Sequence, residues 1–172
     1  MQQANRKSLV ASLFVILALS GSGPAAAQEL SSSEEALIKM AAQLHVEHYY
    51  DLYYEQNPEA LATSIFTLPW MVMGGNGITV RTTEEENLDY FSSAIAGLLE
   101  RGWDKSTFST ENVCVLGAGA AIVSGTNTRT RADGSVMSVG GVSYMIGKTE
   151  AGWRIVSFAS HSTDKVVRCD SE

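Results

Sequence analysis

With 172 residues, 45% of them hydrophobic and 18% charged, the chain is long enough for one domain with a substantial core and carries no compositional signature of disorder. Twelve basic against nineteen acidic residues give a formal charge of −7, which disfavours nucleic acid and anionic membrane surfaces as partners.

Residues 1–27 read as an export signal. Arg6 and Lys7 form a basic start, Leu9 to Leu19 is mostly apolar, and Ala25-Ala26-Ala27 supplies small residues for cleavage. The apolar run is short beside the about 20 residues that a membrane span needs, and Gly21 to Pro24 follow it closely. An uncleaved anchor is the competing reading. Cleavage before Gln28 removes two of the twelve basic residues and none of the nineteen acidic ones, so the formal charge moves from −7 to −9. The expectation is a periplasmic or secreted protein, free of the membrane after cleavage, with one domain over residues 28–162 and a polar tail over 163–172.

Ser32 and Glu35 have capping-box spacing, which predicts a long helix from about Ser33 to Gln56. Leu37, Ala41, Leu44, His48 and Leu52 recur at helical intervals and make one candidate buried face. Asn57 then reads as a cap with Pro58 at the first helical position, starting a short helix through Leu61, Ile65 and Phe66. Pro69 to Met73 and Ile78 to Val80 make a hairpin around Gly74-Gly75-Asn76-Gly77. This glycine-rich turn lacks the Walker lysine and precedes a strand, so it does not read as a phosphate loop.

Thr83 and Glu86 form another capping box, and the helix they start presents Leu88, Phe91, Ile95, Leu98 and Leu99 to a core before Gly102 stops it. The texture then changes to alternation and turns. Strands are expected near Lys105 to Leu116, Ala120 to Arg131, Val136 to Ile146 and Trp153 to Ser160, with Asp133-Gly134 the strongest hairpin signal. Export into an oxidising compartment permits a bond between Cys114 and Cys169, which would clip the tail to the sheet; two unpaired thiols is the other reading.

The order helix, short helix, hairpin, helix, antiparallel meander, with YYDLYYEQNPEALATSIF, RADGS and KTEAGWRIVSF as its most specific pieces, resembles the nuclear transport factor 2-like superfamily over about Glu34 to His161. That group includes ketosteroid isomerase, scytalone dehydratase and the SnoaL-like polyketide cyclases. The resemblance implies an α+β cystatin-like cone, in which a curved antiparallel sheet wraps around the long N-terminal helix and further helices. It also implies a pocket for a small apolar molecule, and a homodimer. Tyr50, Tyr54, Trp70, Met71, Met73, Phe91, Ile95, Trp103, Tyr144 and Phe158 are the candidate pocket residues, each of which taken alone reads better as ordinary core. Aligning Tyr50 with the pocket tyrosine of ketosteroid isomerase puts the catalytic carboxylate position at Gly74 or Met73. The second acid, due around Gly141 to Ser143, is also missing, so that chemistry is a poor assignment.

Four residues remain as catalytic candidates: His45, His48, Tyr50 and Asp51. A histidine paired to a carboxylate is a reasonable general base, and His48 and Asp51 are three apart on a helix. The bland reading is that the histidines are exposed or structurally bonded. Spacing from His45 to His48 is not the zinc signature, even with His161, and no metal or cofactor is expected. Tyr50 could donate to a ligand carbonyl or developing oxyanion, or simply bury its ring. Arg129 and Arg131 share a strand face and could receive an acidic ligand, but beside Asp133-Gly134 they read better as a solvated strand end. The leading expectation is an exported protein that binds a small apolar or aromatic molecule, anchored by Tyr50 and His45. The alternatives are an acid-base dehydratase, isomerase or cyclase using His45, His48 or His161 with Asp51, and a ligand-free dimeric accessory module.

Overall fold

Ser31 starts the first helix, one residue earlier than the serine-rich lead suggests. Its hydroxyl accepts from the Glu34 amide at 3.3 Å, and the Glu34 carboxylate accepts from the Ser31 amide at 2.9 Å, which closes a capping box around α1 (Ser32–Tyr54). The structure, a computed structural model, describes residues 29–169; the export signal expected over residues 1–27 lies outside them.

The buried face of α1 differs from the one that the leucine spacing predicts. Leu37 and Leu44 are exposed, as is His48, and the core side consists of Ala42, Val46, Tyr49, Tyr50, Leu52 and Tyr53. The aromatic positions win because the sheet packs along the second half of the helix, where the tyrosines lie.

Asn57 caps a short α2 (Pro58–Ala60) by accepting from the Ala60 amide at 3.0 Å, and one π-helical turn, Leu61–Ile65, carries the chain into the sheet. Phe66 therefore opens a strand rather than ending a helix. Strands β1 (Phe66–Gly74) and β2 (Gly77–Arg81) pair across the two-residue turn Gly75-Asn76. Thr83 accepts from the Glu86 amide at 3.2 Å and starts α3 (Glu84–Glu100), which buries Asn87, Phe91, Ile95 and Leu98 while Leu99 stays exposed. Gly102, at φ +77°, then turns the chain out of the helix.

The meander follows as β3 (Trp103–Gly117), β4 (Ala120–Arg131), β5 (Val136–Thr149) and β6 (Gly152–His161). The sheet order is β2-β1-β6-β5-β4-β3. The fold is the expected α+β cone, a curved and unclosed sheet over the helices. One pairing departs from the antiparallel expectation: β1 runs parallel to β6, with α3 and four strands between them supplying the crossover that parallel pairing needs. Bulges break the register between Thr110 and Asn112 on β3, at Met137 on β5 and at Val156 on β6, and irregularities of this kind bend a strand.

Core packing is mostly aromatic. Trp70 and Phe91 are fully buried, with ring planes 6° apart and centroids at 6.0 Å, and Phe66 lies 4.1 Å from Trp70. Full burial of side chains this size stabilises by roughly 1.5–3 kcal/mol each, which accounts for Trp70 and Phe91 as core without a ligand role.

Candidate functional site

Between the inner face of the sheet, α1 and α3 lies a cavity of about 200 Å³. Helical spacing brings Tyr49, Tyr50 and Tyr53 to it from α1, and Tyr90 and Leu98 from α3. Strand alternation brings the rest. Arg129 pairs across to Ser106, Asn127 lies one inward-facing position deeper, Val142 stands opposite Gly125, and Tyr144 stands opposite Phe158. Val72 and Ser160 complete the wall.

Tyr50 and Tyr144 share a buried hydroxyl-hydroxyl hydrogen bond of 2.8 Å, their rings perpendicular. Phe108 stacks on the other side of Tyr50 at 5.3 Å. Burial raises the pKa of Tyr49, Tyr50, Tyr53, Tyr90 and Tyr144 above the ordinary phenol value, so all five line the cavity as neutral hydroxyls. Arg81 lies over the Tyr90 ring at 3.6 Å and over Trp70 at 5.1 Å, a cation-π cover that positions both rings. Among the described residues, Arg129 is the charged side chain on the cavity wall, and no aspartate, glutamate or histidine lines it.

Of the residues singled out from sequence, the structure brings Tyr50, Tyr144 and Phe158 together on this wall. Trp70, Phe91, Ile95 and Trp103 are buried outside the lining, and the Trp103 indole donates to the Ser106 hydroxyl at 3.0 Å. Tyr54 is 57% exposed, with the Lys105 ammonium 5.9 Å from its ring. Met71 and Met73 flank the inward Val72 and so point to the opposite face of β1. His48 and Asp51 are exposed on the outer side of α1. His45 is half-buried with Nε2 at 3.0 Å from the Ile65 carbonyl, and burial lowers its pKa below the usual imidazole value. It therefore serves as a neutral donor to the backbone and does not line the cavity.

Neither strand to which the resemblance to ketosteroid isomerase would assign an acid presents one to the cavity. Val72 and Val142 are the inward residues of the two strands concerned, while Gly74 sits exposed at the hairpin turn. Gly141 has a different reason to lack a side chain: a Cβ there would overlap the His161 ring.

The outer face of the sheet carries its own polar chain. The Val167 amide donates to Ser124 Oγ at 3.0 Å, Ser124 and Ser143 hydroxyls lie 2.6 Å apart, and Ser143 Oγ is 2.9 Å from His161 Nε2. Nδ1 of His161 faces the Ser162 carbonyl at 2.8 Å, so Nδ1 carries the proton and Nε2 accepts. Cys114 and Cys169 are bonded, with Cα atoms 5.5 Å apart, and the tail crosses this face.

Sequence reasoning missed Tyr49, Tyr53, Tyr90, Asn127 and the inward course of Arg129. The tyrosine pair at i, i+4 in YYDLYY was the available signal for the first two. For Asn127 and Arg129 it was the alternation in NTR, which places both on one strand face.

A family model described as NTF2-like protein (DUF6841) matches residues 33–163. No curated protein matches the chain significantly. Among solved structures, an NTF2-like protein with a cystatin-like fold from Novosphingobium aromaticivorans is similar at 16% identity with a TM-score of 0.63, over 78% of this chain and 88% of that one. An NTF-2 like protein of unknown function from Shewanella oneidensis MR-1 matches at 16% identity and a TM-score of 0.58, over 72% and 98%. A ketosteroid isomerase-like protein from Erwinia carotovora atroseptica matches at 15% identity and a TM-score of 0.52, over 76% and 97%. At these identities the similarity speaks for the fold alone.

Proposed function

From the premise that the chain belongs to the NTF2-like family DUF6841, we propose that it is a binding protein for a small aromatic molecule, held in the tyrosine-lined cavity of the cone. One observation carries this reading: the cavity wall joins five neutral tyrosines to apolar side chains, with Ser106, Ser160, Asn127 and Arg129 as its other polar groups, and among the described residues it includes no carboxylate or imidazole. Its size fits. An engineered apolar cavity of about 150 Å³ accepts benzene, and about 200 Å³ leaves room for a ring with a small substituent. Tyr50 and Tyr144 act as the polar anchor, since one of their two hydroxyl protons is left over from the bond between them.

A dehydratase, isomerase or cyclase reading draws no support from the wall, on which none of His45, His48, Asp51 and His161 lies. Export belongs to the same proposal, and the Cys114–Cys169 bond supports it because such bonds persist in oxidising compartments. The homodimer is a separate expectation that sedimentation velocity decides.

Titration calorimetry with single-ring aromatic compounds tests the reading. Saturable one-to-one binding is expected, and Val142→Phe, which fills the space between Gly125 and Ser160, should abolish it while the protein stays folded. Absence of heat for every compound would defeat the proposal.

A further inference from the structure

We infer that the ligand is an acid: a single-ring aromatic carboxylate whose ring lies among the tyrosines and whose carboxylate docks on Arg129. This rests on the reading of the cavity as a binding site and narrows it to one ligand class.

Arg129 stands where the inner cavity meets two outer depressions, one of which is also lined by Arg101 and Arg131. Among the described residues, no carboxylate side chain lines any of the three. In a chain of net charge −7, three arginines gathered at one mouth run against the overall balance. An arginine cannot shed its proton to escape burial, so it needs an anion, water or an aromatic face. Arg81 meets part of that need by lying over Tyr90 and Trp70, while its Nη1 is likewise buried without a hydrogen-bond partner. Arg129 has no such cover: its Nε is buried with no hydrogen-bond partner, and among the described residues it forms neither a salt bridge nor a cation-π contact.

A second unpartnered group lies beside it. Asn127 is 9% exposed, lines the same cavity one inward position deeper on β4, and its Oδ1 is also buried without a partner. Rotation of the amide turns Nδ2 inward, and a carboxylate would then receive the arginine fork and the amide together. The buried tyrosines cannot supply the missing negative charge, because they remain protonated. Depth fixes the orientation. Arg129 pairs with Ser138 near the open end of the strand, whereas Tyr144 and Phe158 pair deeper in the cone, so the acid points outward and the ring inward.

Calorimetry with benzoate and its neutral isostere benzamide, at neutral pH on the full protein, separates the outcomes. Benzoate is expected to bind about tenfold more tightly than benzamide or better, as a charge-assisted contact requires. Arg129→Met should erase that preference by weakening benzoate alone, with an unchanged circular dichroism spectrum, and Arg129→Lys should keep part of it. Equal affinities in the unmodified protein, or a preference that survives Arg129→Met, would overturn the inference while leaving the cavity a binding site. Binding of neither probe overturns both. The comparison in the unmodified protein decides the matter even where the variant does not fold.

Discussion

Tyr50 and Tyr144 meet through one hydrogen bond at the inner wall, and replacing Tyr50 by Phe removes it without emptying the space its ring fills. A net hydrogen bond of this kind contributes about 1 kcal/mol, so Tyr50→Phe should lower the unfolding free energy by that amount, read as a lower urea midpoint at an unchanged denaturant slope. The phenols also set an alkaline limit. Their folded pKa values are raised by burial, whereas in the unfolded chain they ionise near the ordinary value of about 10. The unfolded state therefore releases protons that the folded state keeps, and the stability this gives, full below about pH 10, falls as pH rises further. Absorbance at the tyrosinate band should show the cavity tyrosines ionising only as the protein unfolds. A single titration step with all tyrosines ionising in the folded state would contradict the burial. The family resemblance brought Tyr50 and Tyr54 forward together as pocket candidates. The sheet covers an arc centred on Tyr49 and Tyr53 instead, which only the tertiary packing decides.

Caps and turns were legible at the scale of elements because their signals are local. Ser31 to Glu35 offers three serines and two glutamates in a row, so the capping box was recognisable and its register uncertain by one residue. Asn57-Pro58, Thr83 and Asp133-Gly134 stand where the chain turns, with Asp133 Oδ1 accepting from the Ser135 amide at 2.8 Å. Which strand face looks into the cone was not legible, because each bulge reverses the alternation that a sequence pattern assumes. Gly125 shows the constraint: a Cβ there would overlap the Ser109 carbonyl oxygen next to the β3 bulge. Asn87 shows a polar residue hidden in an apolar helix face. It is fully buried, accepts from the Trp70 indole at 2.8 Å and donates to the Ala62 carbonyl at 2.8 Å, joining α3, β1 and the π-helical turn. Asn87→Leu keeps the approximate volume and orphans both partners. About 1–3 kcal/mol should be lost for each buried group left unpaired, read as a lower thermal midpoint, and an unchanged midpoint would show that the network carries no stability.

The molecule as a whole has two faces with separate duties. Inside the cone lie the tyrosines and Arg129; on the outer face the tail is held by the Cys114–Cys169 bond, by Asn112 Nδ2 donating to the Val167 carbonyl at 3.0 Å, and by the Val167 amide on Ser124. The order of helices and meander made the cone legible from sequence. The docking of the tail was not, since it depends on a contact between residues 55 apart. A crosslink over such a span restricts the unfolded chain and contributes about 2–4 kcal/mol in typical cases. Here the gain has a ceiling. Without the bond the tail can lift off while the sheet stays folded, so the loss cannot exceed what keeps the tail docked plus the chain entropy restored to the unfolded state. Replacing both cysteines by serine should therefore lower the denaturant midpoint and speed hydrogen exchange at the Val167 amide well before it changes at Tyr144. Because strand alternation keeps Cys114 and Ser124 on the face opposite Val123 and Tyr144, the affinity for benzoate should stay the same in that variant. A matching loss of affinity would mean that the tail, through the curvature of β3 and β4, shapes the cavity from behind.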